Sequence, residues 1–325
     1  MDNSRADDRA RGEPPRRLYL VDGSALVFRA HFAFLRRPLT TSQGLPVGAL
    51  YGFLTTLLAL IRDAGARHLA VAFDTAAPTF RHERYPDYKA HRPEMPEELA
   101  AQMPYVGPLV EALGLTRFAR DGIEADDVIG SLVEQARAEG WEVVIVSSDK
   151  DFAQLIGSGV RQFVPPRGRE PERWIDAEAV RERFGVRPEQ FVDYLALCGD
   201  SSDNIPGVRG VGPKTAAKLL QAHPTLEAIY EQLESITPPG LREKLRRDRE
   251  AALLSRELVT IATDRLRTEL EALTVGDPAE RPELRALLAE LEFEQLIERI
   301  FGEREASTRS AAEEAPAPRR ASRAT

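Results

Sequence analysis

The sequence predicts an α/β chain in which a mostly parallel sheet carries helices on both faces and a smaller helical domain follows. Three observations carry that expectation. Short runs rich in Val, Leu and Ile recur between residues 18 and 168, separated by stretches of helical period. The runs 18–22, 69–74 and 143–146 are apolar almost throughout, as strands covered on two faces must be. Beyond Trp174 the strand pattern stops, and amphipathic helices continue to about Phe301.

Each element has a local reason. Strand 18–22 ends at Asp22, and Ser24 is a fitting N-cap for a helix over 24–34. A long apolar helix, 47–64, leads into the strand that ends at Asp74. A helix over 96–113 and a short strand over 115–118 follow. The helix 124–139 stops at Gly140, a natural C-cap, before strand 143–146. A short helix, 151–156, precedes strand 160–164. Helices 177–184 and 188–197 open the second domain. The last helix, 282–300, has Leu284, Leu287, Leu288, Leu291, Phe293, Leu296 and Ile300 at mostly helical spacing and needs no role beyond docking. Residues 1–16 and 302–325 are too polar to bury a core and are expected to be disordered tails.

Composition narrows the class. At 325 residues and 42% hydrophobic content the chain can bury a large core. Its single cysteine, Cys198, rules out an internal disulfide and fits a reducing cytoplasm. The lack of any apolar run of 18 residues speaks against membrane spanning. A net charge of −8 looks wrong for a nucleic-acid binder. Taking nine clustered acids from the 52 leaves 43 against 44 Lys and Arg, however, so the remaining surface is near neutral.

Those nine acids are the most informative feature. Asp22, Asp74 and Asp149 close or follow apolar runs, at the carboxyl ends where open α/β sheets bind ligands. Glu124, Asp126 and Asp127 open a helix, Asp151 follows Asp149, and Asp200 and Asp203 bracket a Ser-Ser pair. Glu124 and Asp127 share a helix face, while Asp126 points elsewhere. Singly, each cluster has an ordinary explanation in the helix macrodipole or a polar turn. Jointly, at successive strand ends, so many uncompensated carboxylates call for divalent cations. All-oxygen sites select hard ions such as Mg²⁺ or Mn²⁺.

Two further segments bear on nucleic acid. Between Thr75 and Pro96 lie Arg81, His82, Arg84, Tyr85, Tyr88, Lys89, His91 and Arg92, broken by four prolines. Interleaved basic and aromatic residues on a mobile loop suit phosphate contact and base stacking. From Asn204 the chain reads Asn-Ile-Pro-Gly-Val-Arg-Gly-Val-Gly-Pro-Lys-Thr, a Gly-rich hairpin opening a helix. Gly207, Gly210 and Gly212 would let a strand approach the backbone, and Lys214 and Thr215 sit at the helix start as a phosphate clamp.

These motifs, from Val21-Asp22-Gly23-Ser24 through Tyr88-Lys89-Ala90-His91-Arg92, Glu124-Ala125-Asp126-Asp127 and Ser148-Asp149-Lys150-Asp151 to Gly199-Asp200-Ser201-Ser202-Asp203-Asn204-Ile205-Pro206-Gly207, resemble the bacterial 5′-nuclease family. That family comprises the flap-endonuclease-like 5′-3′ exonuclease domain of bacterial DNA polymerase I and its freestanding forms. The resemblance implies a PIN-like nuclease domain over 17–173 with a helical arch at about 75–96. It also implies a helical domain over 174–301 with a helix-hairpin-helix at about 188–221. The implied activity is metal-dependent hydrolysis of DNA at 5′ ends and flaps to 5′-phosphates, in primer removal and repair. Asp22, Asp74, Glu124, Asp126, Asp127, Asp149, Asp151, Asp200 and Asp203 would be metal ligands, directly or through water, for two or more Mg²⁺ ions. Lys89 and Arg92 would act on the scissile phosphate, Arg29 and Arg81 would contact DNA, and Tyr88 would stack on a base. A K⁺ ion would bridge hairpin carbonyls and a DNA phosphate. With no room for polymerase domains after Phe301, a monomer acting beside a separate polymerase and ligase is expected. A PIN-type ribonuclease and a non-catalytic junction-binding protein are the alternatives. The hairpin disfavours the first, and the complete set of carboxylates disfavours the second.

Overall fold

A computed structural model describes residues 16–168 and 170–302, so the expected tails fall almost wholly outside the described residues. Six strands form one sheet: β1 (Arg17–Asp22), β2 (His68–Phe73), β3 (Thr116–Ala119), β4 (Glu142–Val146), β5 (Val160–Val164) and β6 (Arg173–Ile175). Their order is β3-β2-β1-β4-β5-β6, and every pairing is parallel except β5 with β6. The chain winds outward from β1 to β3, then returns to lay β4 on β1's other side. The switch point therefore lies between β1 and β4, where a crevice opens beyond the carboxyl ends.

Helices α1 (Gly23–Phe34), α2 (Gly48–Arg62), α3 (Phe80–Arg84), α4 (Glu97–Ala100), α5 (Met103–Ala112) and α6 (Ala125–Ala138) interleave with the first strands. Then come α7 (Ala177–Phe184), α8 (Phe191–Cys198), α9 (Pro213–Ala222), α10 (Leu226–Glu231), α11 (Pro239–Arg247), α12 (Arg249–Val259) and α13 (Pro282–Glu290). Period-2 alternation sorts the sheet's faces. Tyr19, Val21, Val71, Val144 and Val146 pack with α2, α5 and α13, while Leu18, Leu20, Ala70, Val143 and Ile145 pack with α6. A separate core gathers Phe191, Leu195, Ala216, Leu220, Ile229 and Leu258 of the helical domain. Among the described residues no helix is long and apolar enough to cross a membrane.

Three expectations change in detail. The helix foreseen over 96–113 is two, α4 and α5. At the break the buried Gln102 accepts the N–H groups of Ala49 and Leu50 at 2.9 and 3.3 Å, so its amide caps α2. The helix foreseen over 282–300 breaks after α13, where Glu292 takes a φ of 58°. That last stretch also leaves the helical domain: Leu284, Leu288, Phe293, Leu296 and Ile300 rejoin the core under β1 and β2. Leu266, Leu270 and Leu273 meanwhile cover the opposite face. Finally, β6 was not foreseen, since three residues give no period to read.

The basic segment is not a free mobile loop. Arg81, 2% exposed, opens it as the hub of three elements. Its guanidinium forks onto Asp127 of α6 at 2.7 and 2.8 Å and meets Glu124 at 3.1 Å. It also donates to the carbonyls of Leu258 and Thr260 at 2.8 and 2.9 Å. All five guanidinium N–H donors are thereby used. Burial lowers the Arg81 pKa, but Asp127 and Glu124 outweigh that and hold it above its ordinary value. Removing one member of such a pair leaves its partner charged in a dry site. Arg81→Ala is expected to lower the unfolding free energy in urea by about 3–5 kcal/mol. A loss below about 1 kcal/mol would show that the hub is dispensable.

Candidate metal centre and nucleic-acid interface

Four carboxylates from four elements meet at the switch-point crevice. Asp22 ends β1 and caps α1: one oxygen accepts the Ala25 N–H at 2.9 Å and the other the Ser147 hydroxyl at 2.8 Å. Asp74, just past β2, accepts the Ala125 N–H at 2.9 Å, which ties it to the start of α6. Asp126 lies in that helix's first turn. Asp149 follows β4 and accepts the Asp151 N–H at 2.9 Å. Burial, then Asp149, Asp22 and Asp74, push Asp126 well above the ordinary carboxylate range. Burial, with Asp149 and Asp74, likewise raises Asp22 to about 7, against the hydrogen bonds from Ala25 and Ser147.

The donor chemistry fits divalent ions. Among the described residues no Lys or Arg forms an ion pair with any of these four, because the nearby cations pair with other acids. Among the same residues no three acid, His or Cys side chains are already drawn into a closed metal cage. Mutual repulsion among these carboxylates adds to burial in raising the proton affinity of Asp22 and Asp126.

The other five predicted ligands divide differently. Asp151 and Asp200 form an outer group shared with Lys150, whose ammonium lies 2.6 Å from Asp200 and 3.1 Å from Asp151. Burial and Asp149 raise Asp151 to about 7 despite that cation. Glu124 accepts from Arg81, Tyr88 and Lys89, each at 3.1 Å. Asp203 accepts from Arg92 at 2.5 Å and from the Tyr88 hydroxyl at 3.2 Å. Asp127 is a correction: 1% exposed, it is spent on Arg81 and on the Ala262 N–H at 2.8 Å, facing away from the crevice.

Two predicted DNA contacts are also corrected. Arg81 is the internal hub described above. Tyr88, 4% exposed, packs among the helical-domain core residues, so its ring presents no face to a base. Lys89 and Arg92 do reach the site's rim. Lys89 takes a φ of 56°, pinned by its N–H to the Asp203 carbonyl at 3.0 Å. Burial lowers its pKa, but Glu124 and Asp203 overcome this and leave the ammonium firmly charged. Arg29 donates to the Pro165 carbonyl in a cavity of about 790 Å³ beside Phe34, Phe163 and Trp174.

The hairpin joins α8 to α9 as expected, but its glycines differ in role. Gly207 is buried at φ 59°, and a Cβ there would strike the Gly199 backbone, so it serves the fold of the loop and not strand passage. Gly210, at φ 78°, and Gly212 are exposed, as is Lys214 at the start of α9; Thr215 is half-buried. Sequence reasoning gave no role to Ser147, Gln162 or Lys150. Gln162 on β5 donates to the carbonyls of Ser147 and Asp149 at 2.9 and 2.7 Å and so sets the turn that carries Asp149. A glutamine inside an otherwise strand-like run was its only signal.

Residues 17–185 match the family described as 5′-3′ exonuclease, N-terminal resolvase-like domain, and residues 186–281 match 5′-3′ exonuclease, C-terminal SAM fold. The chain belongs to the 5′-3′ exonuclease family. Among its relatives, the thermostable DNA polymerase I of Thermus thermophilus is 43% identical over 306 residues, 94% of this chain and 35% of that protein. DNA polymerase I of Bacillus subtilis is 38% identical over 88% of this chain and 32% of its own length. The chain thus spans about a third of these relatives. Among solved structures, a bacteriophage T5 flap endonuclease in a pseudo-enzyme-product complex with DNA and metal ions superposes with a TM-score of 0.64. It is 25% identical, over 76% of this chain and 90% of that one. The catalytic core of Rad2 with a DNA substrate shares the fold at 15% identity and a TM-score of 0.56, over 85% of this chain and 88% of that one.

The raised carboxylates give this exonuclease-family site a pH signature. Asp22 and Asp151 hold protons up to about pH 7 in the fold, but lose them from a pKa of 3.8 when unfolded. Their contribution to stability is therefore present below about pH 4 and is lost as pH rises through 7. Divalent ions bind only the deprotonated forms. The rise in Tm on adding excess Mg²⁺ to chelator-treated protein should accordingly be larger at pH 8 than at pH 5.5. An equal rise at both would mean that these carboxylates do not take part.

Proposed function

We propose that this chain is a divalent-metal-dependent 5′-3′ exonuclease and 5′-flap endonuclease that hydrolyses DNA phosphodiesters and leaves 5′-phosphates. The observation that carries the reading is the gathering of Asp22, Asp74, Asp126 and Asp149 at the switch point, with no ion-pairing Lys or Arg of their own among the described residues. These four would hold Mg²⁺, or Mn²⁺ by the same donor chemistry. Asp151 and Asp200 offer a further oxygen pair that Lys150 neutralises. When bound, such ions polarise phosphoryl oxygens and lower the pKa of water.

The chain's own residues do the rest. Ser147 fixes Asp22, and Gln162 fixes the turn of Asp149, so the donors are oriented before substrate arrives. Lys89 and Arg92 supply positive charge at the rim for the phosphate on which charge develops. They now rest on Glu124 and Asp203, acids that would take them back after product leaves. The exposed start of α9 with Lys214 would hold the duplex by its phosphates, independent of sequence and steeply dependent on salt. The 5′-phosphate product is the form a ligase joins. Gap filling and sealing then fall to polymerase and ligase activities outside this domain, and the chain is expected to act as a monomer.

On a labelled 5′-flap duplex with Mg²⁺, Asp149→Asn is expected to cut more than about 10²-fold more slowly while binding as the parent does. Near-parental turnover would remove Asp149 from the site. Lys89→Ala should lower single-turnover cleavage by about 10²–10³-fold. If affinity alone fell, Lys89 would be a binding residue only. Cleavage of an all-RNA flap at the same rate as DNA would favour the ribonuclease alternative.

A further inference from the structure

Lys150 stands between Asp149 and Asp151 in the chain and between two carboxylates in space. Its ammonium lies 2.6 Å from Asp200 Oδ2 and 3.1 Å from Asp151 Oδ1, joining the turn after β4 to the loop after α8. Both acids are also held by other bonds. Asp200 Oδ1 accepts the Ser202 N–H at 2.9 Å and the Ser202 hydroxyl at 2.6 Å. The Asp200 backbone exchanges hydrogen bonds with Ile205 at 2.9 and 2.7 Å. The Asp151 N–H is anchored on Asp149 at 2.9 Å. The acids that flank Lys150 are therefore placed by their own loops, not by the ammonium alone.

The fit of the ammonium is incomplete. Lys150 donates to Asp200, but Asp151 Oδ1 is buried and, among the described residues, accepts no hydrogen bond. The charge beside that oxygen is compensated while its lone pairs are not, and a buried acceptor in that condition is costly. A divalent cation has no donor direction to align, and binds carboxylate oxygens at about 2.0–2.6 Å. It could not take these two oxygens with the ammonium still between them, because like charges at contact distance repel strongly. The Lys150 side chain is 32% exposed, so its four-carbon stem has room to carry the head group out to solvent.

We propose that Lys150 is a tethered competitor for the outer cation position: its ammonium and a divalent ion contend for the place between Asp151 and Asp200, and only one holds it at a time. The proposal rests on the metal-binding reading above. It ranks the two parts of the site. Asp22, Asp74, Asp126 and Asp149 form no ion pair with Lys or Arg among the described residues and take a divalent ion first, while the outer pair fills last. A lysine that merely braced the two loops would behave in the opposite sense, since losing a supporting partner weakens metal binding.

Mn²⁺ binding to the full chain without DNA, read from the EPR signal of the free ion, tests this with Mn²⁺ itself as the probe. The parent should show a tighter and a weaker class of site. Lys150→Met should bind the weaker class about tenfold tighter than the parent, with the tighter class unchanged to within about twofold. Lys150→Gln carries the same expectation, Lys150→Arg should stay near the parent, and Asp200→Asn should remove the weaker class. A weaker class that Lys150→Met leaves unchanged, or loosens by about tenfold, would make Lys150 a brace and overturn the proposal. So would a single class in parent and variants alike, a weaker class that Asp200→Asn leaves untouched, or failure of both uncharged variants to fold. Each of these would leave the metal-binding reading intact. No saturable Mn²⁺ binding by the parent chain would overturn both.

Discussion

The buried guanidinium of Arg81 is the interaction on which the arrangement of the whole molecule depends. It sits in the basic segment, yet its five donors are spent on α6 and on the end of α12. One side chain thus fixes the helix that carries Asp126, the segment that carries Lys89 and Arg92, and the helical domain that carries the hairpin. Only an arginine can do this, because a lysine lacks the planar fork and two of the donors. Asp203 completes the link from the other side. Its carboxylate takes Arg92 and Tyr88 and its carbonyl takes the Lys89 N–H, so the rim cations are seated against the helical domain.

Against that saturated hub stands a group of acids that, among the described residues, form no ion pair with Lys or Arg. Asp22, Asp74, Asp126 and Asp149 repel one another, and the fold tolerates this because hydrogen bonds hold Asp22, Asp74 and Asp149 separately while α6 carries Asp126. The cost shows in Asp22 and Asp126, whose proton affinity burial and their neighbours raise. On α6 the two kinds of site occupy adjacent residues, Asp127 in a closed ion pair with Arg81 and Asp126 in the cluster of like charge. The first fixes geometry, and the second gathers charge of one sign in a small space.

Much of this was legible in the sequence. Strands buried on two faces leave apolar runs, and an acid at the end of each run could be read as a site because the topology rule gives that end a meaning. The helix-face rule also held: Glu124 and Asp127 share one side of α6, and Asp126 stands apart. What local pattern could not say is which side faces the crevice. That was settled by Arg81, 46 residues from Asp127 in the chain, which claimed the Glu124 and Asp127 side. The same limit explains Tyr88 and Gly207. A basic, aromatic composition fits DNA contact and internal packing equally well, and a glycine needed for φ 59° looks the same as one needed for clearance. Gln102 and Gln162 were passed over because a single amide in an apolar stretch reveals its partners only in three dimensions.

The margins of the sheet have a consequence of their own. β3 offers four residues at one border and the antiparallel β6 only three at the other, the latter beside Arg161, whose guanidinium lies 4.3 Å over the Trp174 ring. Such short, charged borders give a neighbouring polypeptide no ladder to extend. Self-association by strand addition is thereby discouraged even at high local concentration.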